Sequence, residues 1–230
     1  MGNIKDILEN FLADQDVRLK SRTYKKYKEV IQLFEDYLNG YAYNHLSDED
    51  YDIFEKKFNE QDKNFCEIFT LNKIGEEEVN EFLTYFMIKK VMGGKELMKN
   101  SGTVMRKFVN WLKDNSYVNE DKFDRLYETV NDVKKDLPKV AELSDLLYDN
   151  GVRNSIYQYD EYEEDNFRIV EVKSEELWLE GYIESENKIG PVIVPEKVSN
   201  MAEAGWTVYI ELGKRDDKWY VLGSGNVYPY

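Results

Sequence analysis

The chain has 230 residues, a net charge of −15 and 42% hydrophobic residues, which is enough for one large domain or two small ones. One cysteine excludes an internal disulfide, and one histidine excludes most His-rich metal sites and disfavours triad catalysis. No apolar run approaches the roughly 20 residues of a membrane span, and the N-terminus does not resemble a signal peptide, so we expect a cytoplasmic protein that does not bind membranes.

Apolar residues recur at helical spacing through the first half of the chain, which predicts a series of amphipathic helices. The predicted helices cover residues 4–13, 22–38 and 74–90, and a fourth begins at residue 95 and ends at Asp114-Asn115, with two shorter ones in an acidic insert at 42–73. We expect Ser21 and Ser47 to cap two of these helices, because their hydroxyl groups accept hydrogen bonds from unpaired amides.

A heptad-like seam follows, in which the spacing of apolar residues alternates between three and four. Its members are Phe123, Leu126, Val130, Val133, Leu137, Val140 and Leu147. Pro138 divides this seam into two predicted helices, 120–136 and 138–149. We expect the seam either to pack on the preceding helices or to pair two copies of the chain through residues 120–149, with the homodimer slightly favoured.

The hydrophobic period changes from 3.6 to 2 near residue 166, which predicts strands. The five candidates are residues 167–174, 177–185, 190–195, 206–214 and 218–225, with a short helix at 195–204 and a hairpin turn at Asp216-Asp217. Residues 151–165 lack periodicity and predict a linker. We therefore expect a small β-barrel over 166–230, either SH3-like or OB-like.

Aromatic side chains of the predicted barrel are expected mainly to fill its interior, although they could also stack on bases or hold a peptide. They are Trp178, Tyr182, Trp206, Tyr209, Trp219 and Tyr220. Residues 166–230 carry seven basic and eleven acidic side chains, a net charge of −4. This charge favours a protein partner for the barrel over nucleic acid.

Basic charge is concentrated in two places despite the acidic total. Residues 18–28 contain six basic side chains and no acidic one. Residues 89–107 contain six basic side chains and one acidic one, within a longer stretch, 79–118, whose net charge is +4. Lysine is common on solvated helix surfaces, so charge alone does not indicate a ligand. Neither His45 nor Cys66 has sequence neighbours that predict a metal or catalytic site, and we expect no cofactor.

Several motifs of the helical half resemble those of a SAM-like domain, the core-binding domain of phage integrases and other tyrosine recombinases. The motif residues are Thr23-Tyr24, Phe34, Tyr37-Leu38, Ile74, Val79, Phe82-Leu83, Phe108 and Trp111-Leu112. The resemblance covers roughly residues 4–136 and involves mostly core positions. The recombinase catalytic domain, with its Arg, Lys, His, Arg and Tyr constellation, has no counterpart in this chain.

The resemblance implies an α+β multidomain protein, with an all-α SAM-like bundle over 1–149 followed by the small barrel. In the family, the first long helix and the third face DNA, and both basic clusters lie on the corresponding helices. The implied DNA-binding residues are Arg18, Lys20, Arg22, Lys25, Lys26, Lys95, Lys99, Arg106 and Lys107. We therefore expect a non-catalytic DNA-binding protein, accessory or regulatory to a mobile element. The alternative is a protein-interaction scaffold that does not bind DNA.

Overall fold

The computed structural model describes residues 2–181 and 188–230 and shows an α+β protein. Its α-helices are α1 (Ile4–Arg18), α2 (Ser21–Gly40), α3 (Asp48–Gln61), α4 (Phe65–Ile68), α5 (Glu76–Glu81), α6 (Lys95–Asp114), α7 (Glu120–Val133), α8 (Leu137–Asn154) and α9 (Glu196–Ser199). A π-helix, Phe82–Val91, continues α5. The strands are β1 (Glu161–Lys173), β2 (Glu176–Gly181), β3 (Lys188–Ile193), β4 (Thr207–Arg215) and β5 (Lys218–Tyr228). Residues 2–160 contain no strand, which confirms a helical N-terminal part.

Contacts between Cα atoms divide the chain into two compact units. The first unit comprises Met1–Phe86 and Lys99–Lys135, and the second comprises Met87–Met98 and Asp136–Tyr230. Each has its own set of fully buried apolar side chains, as the hydrophobic effect requires of a stable unit.

Two helix starts differ in how they are capped. The Ser47 hydroxyl accepts a hydrogen bond from the Asp50 amide at 3.4 Å, which confirms its predicted cap. The prediction for Ser21 is wrong, because α2 begins at this residue and the preceding Lys20 has no side-chain hydrogen bond to cap the helix. The first amides of α2 therefore lack a side-chain acceptor from the capping position.

Helix α1 continues to Arg18 instead of ending at residue 13. The polar residues that follow residue 13 have partners in the fold. Asp14 accepts a hydrogen bond from the Trp111 indole nitrogen at 2.8 Å, and Gln15 is buried. Polar side chains favour the end of a helix when they bond to nearby backbone groups instead of supporting the helix. Here Asp14 has a tertiary hydrogen bond and Gln15 is buried, and the helix continues through both residues.

The five strands form one sheet in the order β1-β2-β3-β5-β4, and β4 also pairs with β1, so the series of pairings closes on itself. All pairs are antiparallel except β3 with β5, which is parallel and spans only two residue pairs. Asp216 and Asp217 connect β4 to β5 with φ angles of 52° and 58°. A two-residue hairpin turn of type I′ requires positive φ at both central positions, so the predicted turn is confirmed.

The aromatic side chains of this sheet differ in burial. Trp206 and Trp219 are buried, as expected for residues that fill an interior. Trp178 is half-buried, and the ammonium groups of Lys173 and Lys188 lie 5.2 and 4.8 Å from its ring centroid. Tyr182, like the rest of the predicted strand from residue 182 to 185, lies outside the described residues. Tyr209 and Tyr220 are half-buried.

The predicted linker at 151–165 and the predicted helical domain over 1–149 both need correction. Residues 151–154 belong to α8, and residues 161–165 begin β1, which leaves only 155–160 between helix and strand. Helix α8 belongs to the second unit because it packs along β5. Its Ser144 hydroxyl donates to the Gly225 carbonyl at 2.9 Å, and the Asn154 amide donates to the Val221 carbonyl at 2.9 Å.

Gly151 lies where α8 packs against the backbone of β5. A Cβ atom at this position would lie 2.7 Å from the Leu222 carbonyl oxygen and 2.9 Å from its carbon, both of which are backbone atoms. We expect Gly151→Ala to lower the free energy of unfolding by about 1–3 kcal/mol, because a packed backbone cannot move aside without cost. Gly94→Ala is the control, since a Cβ there meets nothing within 4 Å. Equal urea midpoints for both variants would contradict this close approach.

Most of the predicted seam is buried within a single chain. The buried members are Leu126, Val130, Leu137, Val140 and Leu147. The α7 part of the seam agrees with the alternative in which the seam packs on the preceding helices, whereas Leu137, Val140 and Leu147 lie in the second unit, where α8 packs along β5. The five buried side chains have no exposed surface to offer a partner, so the seam gives no support to the favoured homodimer through 120–149. Within the described residues, no helix is both long and apolar enough to cross a membrane.

Candidate nucleic-acid interface

The start of α2 carries cations where most helices of this chain carry acids. Helices α1, α3 and α7 each have a side-chain cap and acidic residues in the first turn, whereas α2 has neither. Instead Lys20, Arg22 and Lys25 occupy this end, and all three are exposed. A helix N-terminus carries about half a positive charge, so cations there are destabilising and an anion is stabilising. The arrangement costs stability unless an anion binds.

The outer face of α6 is also basic. Its inner face is buried through Met98, Val104, Met105, Phe108, Val109 and Leu112. Lys99 and Lys107 lie two turns apart on the opposite face and are exposed, and Arg106 is half-buried beside them. Residues 97–113 contain no acidic side chain. Helical periodicity therefore separates an apolar face from a cationic one, as the sequence predicts.

Aromatic packing fixes α1, α2 and the part of α6 that belongs to the first unit. The Phe108 ring centroid lies 5.1 Å from that of Phe11 on α1 and 6.3 Å from that of Phe34 on α2. Phe11 also stacks on Tyr27 at 6.1 Å. Because α2 and α6 bury their apolar faces in this shared cluster, their basic faces point away from it towards solvent.

The nine predicted residues differ in their partners. Within the described part of the chain, six of them form no ion pair: Lys20, Arg22, Lys25, Lys99, Arg106 and Lys107. The Arg18 guanidinium donates to the Gln15 side-chain oxygen at 2.5 Å, a neutral partner that leaves the cation uncompensated. Lys26 is half-buried and engaged with another residue.

Lys95 does not belong with the other predicted residues. It lies in the first turn of α6, within the segment that contacts assign to the second unit. Its ammonium forms an ion pair with Glu142 of α8, so a phosphate would compete with that carboxylate for it. Helical spacing grouped Lys95 with Lys99, because spacing does not reveal that α6 begins in one unit and continues in the other.

Sequence reasoning did not select a further pair of lysines in the first unit. They are Lys134 and Lys135, which directly follow α7. Partial burial and then the charges of Arg106 and Lys135 lower the pKa of Lys134, which indicates several cations close together. The available signal was the Lys-Lys pair after Val133, which the seam pattern obscured.

A pocket of about 310 Å³ in the first unit brings together the acidic segments. His45, Glu77 and Glu78 offer ligand atoms within 4.8 Å of one another, so among the residues that the structure describes this group could hold a metal ion. Two of these three residues already have hydrogen-bond partners within the chain. The Glu78 carboxylate accepts from the Gly75 amide at 2.6 Å, and Nε2 of His45 lies 2.6 Å from a carboxylate oxygen of Glu81. We assign no metal to this group.

The chain was compared with family models, with curated proteins and with solved structures, and none of these matches it. The similarity to the integrase core-binding domain therefore rests on the motif residues named above. Those residues are largely core positions in the structure, including Phe34, Phe82 and Phe108.

Proposed function

We propose that the protein is a non-catalytic DNA-binding protein whose first unit has the SAM-like fold of an integrase core-binding domain. The observation that carries the proposal is the start of α2, where three exposed cations without ion pairs lie at the capping position and in the first two turns, and the helix N-terminus has no side-chain cap. Such an end attracts phosphate groups through both its amides and its side chains. The basic face of α6 supplies further cations in the same unit. A role as an accessory or regulatory factor of a mobile element belongs to this proposal, and it rests on the motif resemblance.

The negative total charge does not oppose this proposal. Charges separated by more than about 8 Å are largely screened at physiological salt, so a phosphate near α2 interacts mainly with local cations. Residues 18–28 contain no acidic side chain. A local positive potential therefore exists on an acidic protein, and the acidic remainder slows approach chiefly at low salt.

A cytoplasmic location is part of the proposal, and Cys66 is a free, buried thiol.

The proposal is tested by titrating a labelled duplex with the full chain and following fluorescence anisotropy. We expect Lys25→Ala combined with Arg106→Ala to weaken binding by about tenfold or more, which corresponds to about 1.4 kcal/mol. The matched control is Lys56→Ala combined with Lys63→Ala, which removes the same charge from exposed positions on and just after α3. Equal weakening by both variants would show that only total charge matters, and absence of binding at low salt would refute the proposal.

The second candidate function is a protein-interaction scaffold. It is favoured by the second unit, whose sheet we propose to be a small barrel of the SH3-like or OB-like kind because its strand pairings close on themselves. Barrels of both kinds present loops and edges to ligands. If the full chain does not bind DNA, this function replaces the first.

A further inference from the structure

An exposed apolar stripe runs along the outer face of α8 and just beyond its end. Tyr148, Val152 and Ile156 follow one another at intervals of four residues and are 61%, 56% and 78% exposed. Tyr157 and Tyr162 extend the patch and are also more than half exposed. Five large exposed apolar side chains within fifteen residues form a concentrated patch, and such patches mark interaction surfaces more often than single exposed residues do.

The opposite face of α8 already serves the fold. Contacts at Ser144, Gly151 and Asn154 hold the helix along β5 over most of its length. The stripe is therefore presented by a fixed helix, so a partner would not need to order it first. Tyr157 is likewise held, because the Arg215 guanidinium lies 4.7 Å from its ring centroid.

The segment of chain that carries the stripe is strongly acidic, although the Arg215 guanidinium lies against Tyr157. Residues 142–165 contain eight acidic side chains and one basic one, a net charge of −7. Helical spacing places Asp145 and Asp149 beside the stripe on α8, and Asp160 and Glu163 are close in sequence to Tyr157 and Tyr162. All four are exposed and form no ion pair within the described residues. An apolar stripe with an acidic border is complementary to an apolar face with a basic border.

We infer that this surface binds a cationic amphipathic helix of another protein. The stripe's four-residue interval matches the apolar face of a second helix packed along α8. A second copy of the chain fits poorly, because a two-fold interface brings the same patch against itself and would place the two acidic borders in contact. Nucleic acid is repelled by the same charge. This inference is independent of the DNA-binding proposal, which concerns the first unit.

The test uses the full chain and a fluorescein-labelled 18-residue peptide of Leu and Lys in helical periodicity. We expect Val152→Ser combined with Ile156→Ser to weaken binding by about tenfold or more, since apolar contact is lost while charge is unchanged. The matched control is Val17→Ser combined with Ile53→Ser, two exposed apolar residues of the first unit, and it should bind as the wild type does. A Leu/Glu peptide, and a Leu/Lys peptide scrambled to lose its apolar face, should bind far more weakly.

Three results would overturn the inference. Equal binding by wild type and the Val152/Ile156 variant would show general attraction of a cation to an acidic protein. Equal binding of the scrambled peptide would remove the helical requirement. A wild-type dimer in sedimentation that the variant dissolves would make the occupant a second copy. Circular dichroism melts of the variants confirm that they are folded, which exposed positions should permit.

Discussion

Phe108→Ala is expected to lower the free energy of unfolding by about 3–5 kcal/mol, the range typical of a large aromatic side chain removed from a core. Phe108 is 2% exposed, and its ring packs against Phe11 and Phe34. The cavity would therefore open between α1, α2 and α6 together. Because three helices line it, no single one can collapse into the space.

Urea denaturation combined with hydrogen exchange measures this loss. Protection should fall in α1 and α2 as well as in α6, since all three share the ring. Thr103→Ala is the control on the same helix, because Thr103 is exposed and its hydroxyl only donates to the Lys99 carbonyl. A Phe108→Ala variant within about 0.5 kcal/mol of wild type would contradict the described core.

Ile210→Ala should cost about 2–5 kcal/mol in the second unit. Ile210 lies on β4, is 0% exposed, and is paired with Asp165 of β1 and Ser224 of β5. Its removal leaves a void beneath three strands. Hydrogen exchange should report the loss in residues 161–228.

The matched control is Glu211→Ala, since the neighbouring side chain points to the opposite face of the strand and is exposed. Loss of protection in the helices of the first unit equal to that in the sheet would contradict the division into two compact units. Unchanged stability of Ile210→Ala would contradict the burial of the sheet's inner face.

Sequence patterns predicted the kind of each element better than its bounds or its neighbours. Five strands occur near the five predicted segments, because alternation of apolar and polar residues is a local signal. Strand β1 begins earlier than predicted, at Glu161, because tertiary partners stabilise its charged start. The Glu161 carboxylate forms an ion pair with the Lys214 ammonium at 2.9 Å, and residues 161–168 pair with β4. An acidic run without periodicity does not reveal such a partner.

The seam illustrates the limit of periodicity more generally. Heptad spacing continues from α7 into α8, yet the two helices belong to different compact units. Spacing shows that a helix has an apolar face, and it does not show what covers that face. For the candidate interface, the same limit explains why Lys95 was selected and why Lys134 was not.

The central claim, phosphate binding by the cations of α2 and α6, is tested most directly by the salt dependence of duplex affinity. Each phosphate contact contributes about 0.9 to the slope of log K against log salt. The combined Lys25→Ala and Arg106→Ala variant should therefore have a slope smaller in magnitude by about 1.8 than that of wild type. The Lys56→Ala and Lys63→Ala control should keep the wild-type slope. A double variant with an unchanged slope would contradict the claim, because the two side chains would then contact no phosphate.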